Sequence, residues 1–210
     1  FGGTAGGTFL DLGGVFALDL KKHMKSQAIF PNDLLDNRGL IDSLQDFDGT
    51  DSVDVNAILE VNVTDDDPSS GGATYKGFQT FANGNFKGRG FKFRTTLTSN
   101  DTAQTIQVTE LGYTASLQRR TEQNATAIAS GAGPKNITFD HPFFVGTSSL
   151  LGANSHLPSV GITALNMASG DIFELTNIAS TGFTVHFKNQ SGASIDRNFN
   201  FTAVGFGKGG

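Results

Sequence analysis

Between residues 53 and 64 the side chains change character at almost every step. Val53, Val55, Ala57, Leu59, Val61 and Val63 alternate with Asp54, Asn56, Ile58, Glu60, Asn62 and Thr64. A repeat of two is the signature of a strand with one wet and one dry face, and a helix of 3.6 residues per turn does not produce it. The rhythm returns at Phe91, Phe93, Thr95 and Leu97 against Lys92, Arg94 and Thr96, and again at Ile106, Val108 and Leu111. Further strands are predicted at residues 137–139, 160–167, 172–178, 183–187 and 199–206. Near the start, Phe9, Leu10 and Leu12 precede Phe16, Leu18 and Leu20, which alternate with Ala17, Asp19 and Lys21. Two strands around Gly13-Gly14 are predicted there, with a helix over residues 15–25 as the competing reading.

Turn residues separate these runs. Asp65-Asp66-Asp67-Pro68-Ser69-Ser70-Gly71-Gly72 reads as a loop, and Asn154, Gly170, Gly182 and residues 189–192 mark later turns. The Asp-rich stretch 33–51 reads as a loop with room for a short helix. Glu, a helix former, occurs only at 60, 110, 122 and 174, while Gly reaches 27. The expectation is an all-β chain of two antiparallel β-sandwich modules, 1–121 and 136–210. They are separated by a linker at 122–135 that is rich in Ala, Ser, Thr and Gly and has no aromatic residue.

Charge and composition narrow the partners. Fifteen Lys and Arg are scattered through a chain of net charge -5. Nucleic acid is not the expected partner, because phosphate neutralisation needs clustered cations. With no Cys there are no disulfides and no thiolate ligands. No apolar run approaches the roughly 20 residues needed to span a bilayer as a helix. The opening, Phe1 to Thr8, reads as linker and not as a secretory signal. A start at Phe1 is expected of a processed product or of the visible tail of a longer polypeptide.

Two stretches resemble known families. Asp46-Phe47-Asp48-Gly49, Asp65-Asp66-Asp67-Pro68, Tyr75-Lys76-Gly77-Phe78 and the Gly88-Arg89-Gly90-Phe91-Lys92-Phe93-Arg94 strand resemble a module near the C-terminus of tail-tip, or host-specificity, proteins of long-tailed bacteriophages. Tyr75 and Phe78 stand where those relatives usually carry Trp. Phe139-Asp140-His141-Pro142-Phe143, residues 158–162, 175–178 and 181–185, and Phe201-Thr202-Ala203-Val204-Gly205 look like the H-type lectin fold, a trimeric six-stranded sandwich. The resemblance implies a homotrimer at the distal tail of a virion. It would contact other tail proteins and adhere to a bacterial surface receptor, a glycan being one class. A purely structural tail-tip or fibre-connecting role is the alternative, and a polysaccharide depolymerase is a third reading.

Local chemistry supports binding over catalysis. Asp65, Asp66 and Asp67 have oxygen ligands for calcium, but consecutive extended residues point in opposite directions and the spacing is not that of an EF-hand. Asp46, Asp48 and Asp51 are better spaced and still read as a turn. His23, His141, His156 and His186 form no metal-binding pair, and no Gly-x-Ser-x-Gly elbow occurs. The segment 205–210 lacks the spacing of a phosphate loop. A glycosidase needs two facing carboxylates, and nothing selects a pair. Asn-x-Ser/Thr sequons, those at Asn62, Asn100, Asn124 and Asn136 among them, read as β-rich composition. No catalytic residue, metal or cofactor is assigned. His186, Asn189, Gln190, Ser191, Asp196 and Arg197 are the candidate ligand contacts, as polar groups on one strand and its adjoining loops.

Overall fold

A computed structural model describes residues 9–29, 55–100, 105–147 and 152–209. The Asp-rich stretch 33–51, with Asp46, Asp48 and Asp51, lies outside the described residues. So do Val53 and Asp54, and the predicted strand is seen from Val55. The described residues are all-β, with antiparallel pairing throughout and no helix.

The first unit is one sheet folded over its own apolar face. β1 (Phe9–Ile29) pairs in its first half with β4 (Gly84–Ser99), and in its second half with β5 (Thr105–Leu117). β4 in turn leaves β1 and pairs with β2 (Val55–Thr64), beside which lies the short β3 (Gln79–Thr80). The two diverging ribbons face each other: Phe93 of β4 stacks on Tyr113 of β5 at 4.3 Å, although these strands are not sheet neighbours. Leu18, Leu20, Leu59, Val61, Phe81 and Phe91 are buried between them. Burial at this level contributes about 1.5–3 kcal/mol for each large apolar side chain. The alternating residues carry the opposite face of the β1–β5 ribbon, where His23 meets Thr114 at 2.7 Å, Lys25 meets Glu110 at 2.6 Å and Gln27 meets Gln107 at 2.8 Å.

The predicted pair of strands around Gly13-Gly14 is a single strand with a bulge, and the helix over 15–25 does not form. The five steps from Asp11 to Phe16 on β1 answer only the two from Gly90 to Gly88 on β4. Pairing resumes beyond the insertion, so the strand continues. Gly13 takes φ +73° at the bulge, a conformation side chains disfavour, and its N–H is accepted by Asp11 Oδ1 at 2.8 Å.

The second unit is a sandwich. One sheet centres on β12 (Asn198–Phe206), flanked by β9 (Ser159–Leu165) on one side and by β6 (Arg119–Gln123) and β7 (Ile128–Ala129) on the other. The other holds β10 (Ile172–Ala179), β11 (Gly182–Lys188) and β8 (Lys135–Thr138) in that order. Phe187 meets Phe199 at 5.6 Å and Phe183 meets Phe201 at 5.4 Å across the layers. The stretch expected as linker, 122–135, thus contributes to both sheets: the end of β6, all of β7 and the start of β8. Its backbone completes the β12 ladder with Ile128 as its one large apolar side chain, so the two sheet systems divide at Gln118, between β5 and β6. Finally β13 (Lys208–Gly209) returns from the second unit to pair with Phe16 and Ala17 of β1.

Candidate functional site

The six residues singled out from the sequence lie at one end of the second unit, where four turns meet. Arg197 is the hub. Its Nε and Nη2 donate to Asp171 Oδ2 at 2.9 and 2.7 Å, and the same oxygen accepts the Ala168 N–H at 2.7 Å. The Asp171 side chain is only 4 % exposed and that of Arg197 24 %, so the pair is a shielded brace between loops. The Ala168 N–H first, and then Arg197, hold the Asp171 carboxyl below the usual carboxylate range. Asp196 Oδ1 accepts from Gly131 N at 2.8 Å and from Ser130 Oγ at 3.3 Å, while Arg197 N donates to Ser130 Oγ at 2.9 Å.

Asn189 organises its own turn. Its Oδ1 accepts from Ser191 N, Ser191 Oγ and Ala193 N at 3.1, 2.7 and 2.9 Å. Gln190 projects from that turn, exposed, and packs against Gly170 of the neighbouring turn. Among the described residues its amide has no hydrogen-bond partner. His186 sits near the end of β11, three residues before Asn189, with Nε2 2.8 Å from Ser194 Oγ, opposite Glu174 on β10. The fold therefore brings Asn189, Gln190, Ser191, Asp196 and Arg197 to one surface, and ties His186 to it through Ser194. Asp171 and Ser130, which hold that surface in shape, were not read from the sequence. Each looks like an ordinary turn residue, and only the fold shows what it touches.

The acidic loop of the first unit is arranged differently. Asp65 pairs with Lys76 at 2.8 Å, and Asp66 Oδ2 accepts Thr74 N at 2.8 Å. Asp67 accepts Ser69 N and Oγ at 2.9 and 2.6 Å and pairs with Arg89 at 2.8 Å. Three carboxylates with three different sets of donors do not converge on one point. Their hydrogen bonds fold the loop back over the polar face of β2 and β4, and this explains why Asn62 and Thr64 are buried there. Tyr75 then lies 4.0 Å beneath the Lys92 ammonium, and Phe78 4.1 Å from the Arg94 guanidinium. Arg94 also grips Glu60 with two bonds of 2.6 and 3.0 Å. Hydrogen bonds from Arg94 and Thr96 keep the Glu60 carboxyl below its ordinary range.

Asp67, Glu110 and Glu174 are lowered in the same way, mainly by hydrogen bonds from Ser69, Lys25 and Lys188. The unfolded chain therefore takes up protons at higher pH than the folded one does. Stability from these five groups is complete above the ordinary carboxylate range, about pH 4, and is lost as pH falls through the folded-state values. The expected result is a melting temperature that holds between about pH 7 and 5 and drops below about pH 4. Circular dichroism melts across that range check it, and Asp171→Asn should flatten part of the acid slope. An unchanged melting temperature down to pH 3 would contradict the assignment.

No family model, no curated protein and no solved structure compared with this chain matches it.

Proposed function

We propose that this chain is the distal part of a bacteriophage tail-tip or tail-fibre protein, acting as a homotrimeric adhesin that binds a bacterial surface receptor and catalyses no reaction. The observation that carries the reading is the braced loop surface. Asp171–Arg197 and Asp196–Gly131 fix the backbone beneath, while Gln190 and its turn remain exposed. A polar surface held in place before contact loses little conformational freedom on binding, the condition under which weak polar contacts yield affinity. Hydroxyl- and amide-rich loops suit a glycan or a polar protein surface alike. The resemblances of residues 46–99 to tail-tip modules and of 136–207 to H-type lectins supply the biological setting.

Assembly has its own support. Edge strand β10 leaves Ile172 and Phe173 52 and 40 % exposed, at a sheet edge open to a neighbour. Three copies would present three such loop surfaces on one rigid body, and avidity then exceeds single-site affinity by on the order of a hundredfold or more.

The test is adsorption of the purified chain to host cells, with its copy number read by light scattering. Wild type should adsorb as a trimer. The variant Gln190→Ala, which removes an amide with no partner in the fold, should adsorb about fivefold less with an unchanged melting temperature. Failure of the wild type to adsorb to any susceptible cell removes the reading, and release of oligosaccharide from host polysaccharide would replace it with hydrolysis.

A further inference from the structure

A second concave site lies away from these loops, where the two units meet. It is an open groove of about 550 Å³, within the size range of small-molecule sites. Both units build it. The β1 bulge gives Gly13 and Val15, β4 gives Lys87, the segment after β8 gives His141 and Pro142, and the β10–β11 turn gives Ser180 and Thr181.

Three features separate it from an accidental crevice. First, its rim is fixed. Asp11 accepts the Gly13 N–H, is itself paired with Arg89 at 3.1 Å, and accepts the Thr147 hydroxyl at its carbonyl at 3.1 Å, so the bulge is bound to both units. Second, its charge has one sign. No Asp or Glu lines it, and among the described residues neither the Lys87 nor the His141 side chain has an ion-pair or hydrogen-bond partner. Of the nearby carboxylates, Asp11 is engaged by Arg89 and Glu122 by Arg120 at 3.4 Å, while Asp140, next to His141, and Asp19, diagonal to Lys87 across the β1–β4 ladder, form no ion pair with either cation. Lys87 thus brings an unpaired positive charge to the rim of a groove whose own lining has no carboxylate. Third, the remaining lining is mixed: it includes the hydroxyl residues Ser180 and Thr181 and the apolar residues Val15 and Pro142.

From this combination we infer that the groove between the units binds an acidic sugar, its anionic group on Lys87 and His141, its hydroxyls on Ser180 and Thr181, and its apolar ring face on Val15 and Pro142. A carboxylate or a phosphate on the sugar meets the same chemistry. The volume admits on the order of one or two sugar rings. The inference stands apart from the loop surface and does not require adhesion to cells.

The experiment titrates the intact chain with glucuronate, with glucose 6-phosphate and with neutral glucose, following backbone amide shifts by NMR. Saturable shifts at Gly13, His141 and Thr181 are expected with at least one of the two anions, and none with glucose. The preferred anion identifies the acid. Lys87 is exposed, so Lys87→Ala leaves the fold intact and should weaken binding about tenfold, with Lys87→Glu abolishing it. The inference is overturned by any of three results: neither anion binds, glucose binds equally well, or Lys87→Ala binds as tightly as wild type. Shifts confined to residues 189–197 also overturn it, while leaving the adhesin reading in place.

Discussion

Phe144→Ala is expected to lower the stability of the first unit by about 3–5 kcal/mol, the range for truncating a fully buried Phe. In a chain of this size that is a fall of roughly 10 °C or more in melting temperature. The reason lies in a two-residue division of labour. Phe143 and Phe144 are consecutive in an extended segment, so their rings point in opposite directions. Phe143, 1 % exposed, enters the second core, edge-on to Phe139 at 5.0 Å. Phe144, 3 % exposed, enters the first core, edge-on to Phe16 at 5.8 Å. A segment of the second unit thus supplies a ring to the core of the first. Its backbone is held by a hydrogen bond from Phe144 N to Phe206 O of β12 at 2.8 Å. Removing the Phe144 ring opens a cavity beside Phe16 and leaves the Phe139–Phe183–Phe201 cluster untouched. Calorimetry should show the first unit melting early and the second near its wild-type temperature. Phe143→Ala should reverse the order. If both variants shift a single transition equally, the cores are not separable and the account of the junction fails.

The strands legible in the sequence are those whose dry face is made of large residues. Residues 183–187 and 199–206 reappear almost unchanged as β11 and β12, because Phe183, Val185, Phe187, Phe199, Phe201 and Ala203 all face one core. β6 and β7 escaped notice because they are short and mostly polar, with Ile128 the one large apolar residue that packs on the core. Glu122, for example, is nearly buried, yet it accepts the Asp140 N–H at 2.7 Å instead of packing. A polar residue with a backbone partner leaves no periodic trace. The β1 bulge failed for the opposite reason: an insertion shifts the period, and sequence cannot tell a bulge from a turn. The loop surface was half legible. Asn189 and Arg197 stand out among turn residues, but Asp171, 26 positions from Arg197, becomes its partner only when β10, β11 and β12 are in place. The junctional groove was not legible at all, since its residues come from four separate segments.

Gly182→Ala is the second large expected effect. Gly182 opens β11 opposite Thr138, where the backbones of β8 and β11 approach so closely that an added Cβ would lie 2.1 Å from Ile137 O and 3.2 Å from Thr138 Cα. A flexible side chain can move from such a contact, whereas a paired backbone moves only if the strand does. Ile137 is buried in the second core, and Phe139 N and Phe143 N are bonded to Thr181 O and Ser180 O at 2.9 and 2.8 Å. Displacing β8 therefore strains the ladder, the aromatic cluster and the turn together. The expected loss is about 3 kcal/mol in urea unfolding, at the upper end for overpacking. Gly133→Ala, in the same unit with open space around its Cβ, should change stability by less than about 1 kcal/mol. Because Ser180 and Thr181 precede Gly182 directly, the variant should also weaken binding of an anionic sugar, even where the chain is still folded. If Gly182→Ala keeps both wild-type stability and wild-type binding, β8 and β11 do not approach as described, and the turn does not shape the groove.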